Sequence, residues 1–244
     1  MHRIKLIVEY DGSNYHGFQR QDNAHTVQGA IEKGILKLID KKITITSAGR
    51  TDTGVHALAQ VVTFDTDSKI PPDRWQYALN NYLPYDIRII NSELTSSDFH
   101  PRYDAVSKIY NYKIYRHTKG TTFLRNYALC NTDTLDVEAM QKACTFLLGT
   151  HNFTSFCASG STIRNLERNI IACHLDDSWP FLTLIIEANG FLRNMIRIIV
   201  GSLLEVGRKN IAPEKINDII KAEDRRVAGP TAGPQGLYMM EVKF

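Results

Sequence analysis

The sequence predicts an α+β fold built from two ferredoxin-like halves, each with the element order β-α-β-β-α-β. The first observation is the alternation of apolar and polar residues along several short segments, which is typical of half-buried strands. The second is apolar residues spaced three and four apart in other segments, which indicates helices that bury one face. The third is that these signals follow the same order twice along a chain of 244 residues. A chain of this length can form one large domain or two smaller ones.

The first half, residues 1–104, begins with a predicted strand over 3–10 whose alternate residues are apolar. Turn-forming residues follow at 11–21, and Thr26 is placed to cap the first helix. The remaining predicted elements of this half are strands over 42–46 and 57–64, a helix over 74–82 and a strand over 87–94.

The second half, residues 105–244, follows a junction at Pro101, because proline disfavours helix at the residue before it. Its first predicted strand, over 107–116, places Tyr110 and Tyr112 on one face. The later elements are a helix over 136–148, hairpin strands over 165–176 and 181–188, helices over 191–206 and 213–221, and a strand over 236–244. We expect the halves to join edge to edge into one continuous mixed or antiparallel sheet, with helices on one face and a cleft on the other.

Composition excludes several classes of protein. With 43% hydrophobic and 23% charged residues, the chain resembles an ordinary folded protein of the aqueous phase. Its start lacks the apolar region of a signal peptide, and no segment approaches the ~18 apolar residues of a membrane span. We therefore expect a cytoplasmic protein with no membrane partner.

The spacing of cysteine and histidine supports neither a disulfide framework nor a metal site. The four cysteines form no CxxC pair, and the eight histidines include no HExxH motif. A formal net charge of +3 is too small to identify a nucleic-acid partner. The lysine and arginine clusters of the second half would form a polyanion site if they converge, and scattered solvated charge if they do not.

The most informative stretch is the polar run SAGRTDTGVHALAQ at residues 47–60. One interpretation is a hairpin turn, because Asp, Thr and Gly are the residues that turns require. However, a plain turn needs no arginine two residues before the aspartate. In an extended segment Arg50 and Asp52 would project to the same face, where both could approach one phosphorylated ligand.

Four segments resemble those of a known family. GRTDTGVHA at 49–57 is similar to the catalytic motif of the tRNA pseudouridine synthase A family. The loop at 11–21 is similar to the family's DGxxYxGFQxQ segment, and FLRNMIRIIVGSLLEVG at 191–207 to its FLxxMVRxxVGxLxxVG segment. TAGPQGLYM at 231–239 resembles TAPAxGLxL, with Gly233 in place of the usual proline. The resemblance extends over nearly the whole chain.

The resemblance implies specific roles for four residues. Asp52 matches the catalytic nucleophile, and Arg197 matches the arginine that pairs with it. Tyr110 matches the active-site tyrosine of a KxYxY strand, which stacks on the uracil and assists removal of the C5 proton. Leu237 would pack against the base. The resemblance also implies a tRNA substrate, a homodimer, and no cofactor or metal.

Other residues are candidates for binding the substrate. Arg50 could hold a phosphate or fill the space vacated by a flipped base, and His56 could do the same, although a single histidine at a strand entrance is more often structural. In the predicted helix over 191–206, Arg193 and Arg197 lie four apart and share a face, with Arg193 as a phosphate contact. An ordinary polar stripe would give the same spacing. The loop at 11–21 is either a long connection or a mobile flap that contacts RNA, and the resemblance favours the flap.

The predicted activity is isomerisation of uridine to pseudouridine in the anticodon stem-loop, at tRNA positions 38 to 40. No P-loop, GxGxxG or GxSxG motif is present, so no nucleotide cofactor is predicted. One alternative is a noncatalytic RNA-binding protein that uses Tyr110 and Tyr112 as a stacking platform on an RRM-like sheet. A hydrolase using Asp52 and His56 would need a second acid or a metal. The active site is expected in the RNA-binding cleft between the halves.

Overall fold

A computed structural model gives the structure of residues 1–160 and 164–244. The chain divides into two units, of which the first contains Met1–Val106 and Tyr238–Phe244 and the second contains Ser107–Leu237. Each unit combines strands with helices, so the predicted α+β class is confirmed. One difference from the predicted division is that the last strand, assigned by its order to the second half, belongs from Tyr238 onward to the first unit.

The strands, in chain order, are β1 (His2–Tyr10), β2 (Thr46–Ser47), β3 (His56–Thr66), β4 (Ile87–Thr95), β5 (Ser107–Arg116), β6 (Leu129–Asn131), β7 (Gly149–Asn152), β8 (Glu167–Ser178), β9 (Phe181–Ala188) and β10 (Leu237–Lys243). The α-helices are α1 (Val27–Ile39), α2 (Trp75–Asn80), α3 (Val137–Thr145), α4 (Met195–Gly207) and α5 (Lys215–Ala222). Among the described residues, no helix combines the length and apolarity needed to span a membrane.

In the first unit, β1 lies between β3 and β4 and pairs antiparallel with both. The carboxyl-terminal half of β3 pairs antiparallel with β2. The start of β3 pairs parallel with β10. The order β4-β1-β3-β2 is that of the predicted βαββαβ unit. Alternate residues of β1 are buried, as predicted from their apolar character.

The strand predicted over 42–46 is reduced to Thr46–Ser47. The reason lies in helix α1, where the buried Glu32 accepts a hydrogen bond from the Ile45 backbone N–H at 3.1 Å. Gln28 Nε2 donates to the Ile45 carbonyl at 3.3 Å. Both backbone groups of Ile45 are therefore bonded to helix side chains, which satisfies them without a strand partner.

In the second unit, β9 lies between β5 and β8 and pairs antiparallel with both. β7 pairs antiparallel with β8, and β6 runs parallel to β5. Strands β5 and β9 have the predicted bounds. The residues of β9 alternate between buried and half-buried positions, which leaves Leu182, Leu184 and Ile186 in the core.

Helix α4 begins at Met195 and not at 191 as predicted. Asn194, directly before it, has a positive φ of 60°, in the left-handed region that does not continue a right-handed helix. Arg193 therefore precedes the helix, and the prediction that Arg193 and Arg197 share a helix face is wrong.

Candidate active site

The polar motif forms a tight loop between β2 and β3 of the first unit. The Val55 N–H donates to the Asp52 carbonyl at 3.1 Å, which closes a turn around Asp52. Gly54 lies in this turn with a φ of 77°, a conformation that glycine adopts without steric cost. Before the turn, Gln60 Nε2 donates to the Gly49 carbonyl at 2.9 Å. The motif thus contains a turn, and this turn presents Asp52 half-buried.

The neighbouring loop at 11–18 packs against the motif backbone at two glycines. A Cβ atom on Gly12 would lie 2.0 Å from the Val55 carbonyl oxygen. A Cβ atom on Gly17, whose φ is 85°, would lie 2.7 Å from the Thr51 carbonyl oxygen. Real Cβ atoms do not approach so closely, so only glycine permits this approach of the two backbones.

Hydrogen bonds and buried rings join the same two loops. The Phe18 N–H donates to the Thr51 carbonyl at 3.1 Å, and the Gly54 N–H donates to the Tyr15 carbonyl at 3.3 Å. The Tyr15 and Phe18 side chains are only 1% exposed. These two aromatics support the motif from within the core. Contact of RNA with the loop at 11–21 stays a prediction. In the sequence, Gly12 and Gly17 are the residues that indicate this close packing of the two loops.

A buried hydroxyl pair supports the residue before Asp52. The Tyr10 hydroxyl and Thr51 Oγ1 are 2.8 Å apart in the core. Burial raises the pKa of Tyr10 to about 12, so the phenol stays neutral at physiological pH. The pair connects β1 to the motif at the position next to the proposed nucleophile.

His56 is buried at the start of β3, with 2% of its surface exposed. Its Nδ1 accepts a hydrogen bond from the Gly12 N–H at 3.1 Å and lies 3.2 Å from Asp11 Oδ1. Its ring stacks on Tyr238 of β10 with centroids 4.6 Å apart. These contacts tie three segments of the first unit together, and they do not support the predicted substrate contact by His56. Arg50, by contrast, is exposed on the motif loop.

In the second unit, Tyr110 and Tyr112 lie on one face of β5, as predicted from their spacing. Tyr110 is 7% exposed, and its ring packs edge-on against Phe191 with centroids 5.1 Å apart. Tyr112 is fully buried, and its hydroxyl donates to the Gly233 carbonyl at 2.6 Å. Burial raises the pKa of Tyr112, while the charge of Arg197 acts in the opposite direction. Neither ring forms an exposed stacking surface.

Arg197 lies on the first turn of α4 and is half-buried. Its Nε donates to the Ala232 carbonyl at 2.7 Å, and its Nη1 donates to Asn194 Oδ1 at 3.0 Å. The Ala232 N–H donates in return to the Arg197 carbonyl at 3.0 Å. These bonds hold the guanidinium in a defined orientation and attach the segment before β10 to the helix.

The segment that contains Ala232 lies close along α4. A Cβ atom on Gly201 would be 1.7 Å from the Pro230 carbonyl oxygen, and the Gly229 N–H donates to Ser202 Oγ at 2.9 Å. Leu237, after this segment, is 6% exposed. Arg193 is exposed, and its carbonyl accepts a hydrogen bond from the Ala158 N–H at 3.0 Å. Of the predicted site residues in this unit, Tyr110 and Leu237 are buried and Arg197 is half-buried. Arg193 is exposed.

A family model described as tRNA pseudouridine synthase matches residues 6–104 and 143–244. The chain belongs to this family. The resemblance deduced from the four motifs is therefore confirmed. Between the two matched ranges lie residues 105–142, which include Tyr110 and the connection from β5 to β6.

Curated relatives are similar to this member of the tRNA pseudouridine synthase family along their whole length. The tRNA pseudouridine synthase A of Syntrophomonas wolfei is 57% identical over 100% of this chain and 98% of the relative. That of Acetivibrio thermocellus is 46% identical over 100% of both chains. That of Bacillus pumilus is 42% identical over 99% of both chains.

Several lysines and arginines of the clusters in the second half form ion pairs with acidic residues. Arg116 pairs with Asp177, and Arg226 with Asp224. Arg208 pairs with acidic residues on both sides, and Lys209 pairs with Asp136 at 3.3 Å. For this family member, the clustered charges are thus partly structural. In the part of the chain that the structure describes, no group of three or more His, Cys, Asp or Glu side chains is arranged to hold a metal ion.

Proposed function

We propose that this chain converts uridine to pseudouridine in the anticodon stem-loop of tRNA, at positions 38 to 40. Membership of the tRNA pseudouridine synthase family and the names of its full-length relatives support this activity. The observation that carries the proposal is the motif turn, which holds the half-buried Asp52 between loop 11–18 and strand β3. A carboxylate on such a supported turn is preorganised to meet one reacting carbon.

The reaction is an isomerisation, so its atoms balance without a co-reactant. The bond between uracil N1 and ribose C1′ breaks, the base turns, and a new bond joins C5 to C1′. A proton leaves C5, and N1 gains one. Asp52 is the proposed nucleophile, bonding transiently either to C1′ or to C6 of the base. Neither an oxidant nor a nucleotide cofactor is needed for this exchange.

Tyr110 and Arg197 are proposed to assist Asp52. A nucleophilic carboxylate must be ionised, and a nearby cation favours the ionised form, which is the role proposed for Arg197. Tyr110 would stack on the uracil and assist removal of the C5 proton. Asp52 belongs to the first unit, and Tyr110 and Arg197 belong to the second.

Binding is proposed to rely on exposed cations and on base flipping. Extruding a stacked base costs a few kcal/mol, roughly, and contacts to the flanking phosphates offset this cost. The exposed Arg50 and Arg193 are the candidates for those contacts, and Leu237 for packing against the base. Affinity should then fall as salt is raised. We also propose a cytoplasmic homodimer in which each tRNA touches both subunits, which sedimentation with and without tRNA would test.

The decisive experiment compares wild type, Asp52→Asn and the matched control Asp73→Asn on transcribed tRNA, with pseudouridine mapped chemically. Asp73 is an exposed carboxylate of the same unit, with 71% side-chain exposure. We expect Asp52→Asn to form no pseudouridine while still binding tRNA, and Asp73→Asn to behave as wild type. Modification that survives in Asp52→Asn would refute the assignment of the nucleophile.

The Arg197→Ala variant separates a catalytic from a binding role. If Arg197 stabilises the ionised Asp52, its removal should lower turnover more than tRNA affinity. Equal losses in both would mean that Arg197 only binds phosphate. The noncatalytic RNA-binding alternative is not favoured, because the family model and the full-length relatives are tRNA pseudouridine synthases.

A further inference from the structure

The stretch from residue 105 to 132 is basic and free of acidic residues. It contains five lysines and arginines and no Asp or Glu, so it carries +5 while the whole chain carries only +3. Most of its exposed part is the connection between β5 and β6 in the second unit. A local concentration of positive charge of this kind favours a polyanion.

Aromatic rings lie among these cations at the surface. Phe123 is 88% exposed, and Lys119 and Arg125 on either side of it are exposed as well. Neither cation forms an ion pair with any residue that the structure describes. At the tip of the β8–β9 hairpin, Trp179 is 72% exposed, and the Arg116 guanidinium lies 5.4 Å from its ring centroid. Because Arg116 pairs with Asp177 of the same hairpin, the cations open to a ligand are Lys119 and Arg125.

Contacts hold the beginning of this connection in place. The His117 ring stacks on Tyr115 with centroids 5.8 Å apart, and Tyr115 contacts the Phe181 ring at 5.4 Å. The Lys119 N–H donates to His117 Nδ1 at 3.2 Å. We name Arg116, His117, Lys119, Phe123, Arg125 and Trp179 the basic–aromatic surface.

This surface is separate from the residues proposed for catalysis in the same unit. Arg116 follows Tyr110 by six residues on one extended strand, which corresponds to about 20 Å at ~3.4 Å per residue. That separation is larger than a nucleotide. A ligand held at this surface is therefore not the uridine beside Tyr110, but it can be another part of the same large RNA.

We propose that the basic–aromatic surface is a second tRNA-binding site, which holds a part of the tRNA outside the stem-loop that carries the target uridine. Lys119 and Arg125 contact phosphates, while Phe123 and Trp179 stack on unpaired bases. Exposed aromatics beside exposed cations suit a nucleic acid, because every base offers a π-face and every nucleotide a phosphate. The inference rests on the proposed function and deepens it by locating a further part of the substrate.

The test measures binding of full-length transcribed tRNA to the whole protein. The double variant Lys119→Ala/Arg125→Ala should bind more weakly, with a plot of log K against log salt that is less steep by about 0.7 to 0.9 for each cation removed. The double variant Lys33→Ala/Lys37→Ala, which removes two exposed charges from α1, is the matched control and should keep the wild-type slope. Equal slopes in both double variants would overturn the phosphate contacts.

Stacking is tested at Phe123. Phe123→Tyr keeps an aromatic ring and should bind as wild type, whereas Phe123→Leu should bind about 5- to 150-fold more weakly. Nuclease footprinting should show protected nucleotides outside the anticodon stem-loop that become accessible in Phe123→Leu. Unchanged affinity and footprint in this variant would overturn the second site and favour a protein partner for the surface. Failure of wild type to form pseudouridine would instead refute the proposed function.

Discussion

The hydroxyl of Tyr112 allows a quantitative prediction. Tyr112→Phe removes only the hydroxyl, which donates to the Gly233 carbonyl at 2.6 Å, and keeps a ring that is fully buried. A hydrogen bond of this kind contributes about 0.5 to 1.5 kcal/mol, and an unsatisfied buried carbonyl costs about 1 to 3 kcal/mol. Gly233 is half-buried, so water can reach part of its surface and the lower end applies. We expect a loss of about 1 kcal/mol in the free energy of unfolding.

Urea unfolding followed by circular dichroism would measure this loss. The matched control is Tyr115→Phe on the same strand, because the half-buried Tyr115 hydroxyl has no hydrogen-bond partner among the described residues. The control should change the free energy of unfolding by less than about 0.5 kcal/mol, as surface substitutions usually do. If the two variants unfold at the same urea concentration as wild type, the bond to Gly233 does not stabilise the segment before β10.

Three further predictions concern the first unit. Glu32→Ala should lower the free energy of unfolding by about 2 to 3 kcal/mol, because it deprives the Ile45 N–H of its partner. The control Arg20→Ala should lower it by less than about 1 kcal/mol, because the Arg20 side chain is 60% exposed. Urea unfolding of both variants makes the comparison, and equal losses would contradict the role given to Glu32. Gly12→Ala should abolish pseudouridine formation on tRNA, since its Cβ would lie 2.0 Å from a motif carbonyl, and wild-type turnover would show that the loop shifts freely. Tyr10 has a pKa raised from 10.0 to about 12, so the unfolded chain loses this proton first and stability falls as pH rises through that interval. The fall in stability should be shallower in Tyr10→Phe, which has no phenol to ionise. Identical pH profiles of stability in wild type and variant would refute the contribution of Tyr10.

Much of the fold follows from local pattern. Strand β5 has the predicted bounds because apolar and polar residues alternate along it, and α1 begins where Thr26 Oγ1 accepts from the Gly29 N–H. The motif that contains the proposed nucleophile is recognisable because its residues are contiguous. In each case the determining residues lie within a few positions of one another.

Other features depend on partners distant in sequence. The strand before the motif is short because Glu32 of α1 binds the Ile45 backbone, and α4 begins late because Asn194 adopts a left-handed conformation. Nothing in the local sequence showed that the His56 ring would be buried against Tyr238.

The sequence by itself determined the family, the order of most elements and the identity of the proposed nucleophile, since these depend on residue type and on spacing along the chain. Only the tertiary structure decided that loop 11–18 supports the motif and that Arg197 is attached to Ala232. The physical reason is that buried polar groups must find hydrogen-bond partners, and those partners come from segments whose proximity arises only when the chain folds.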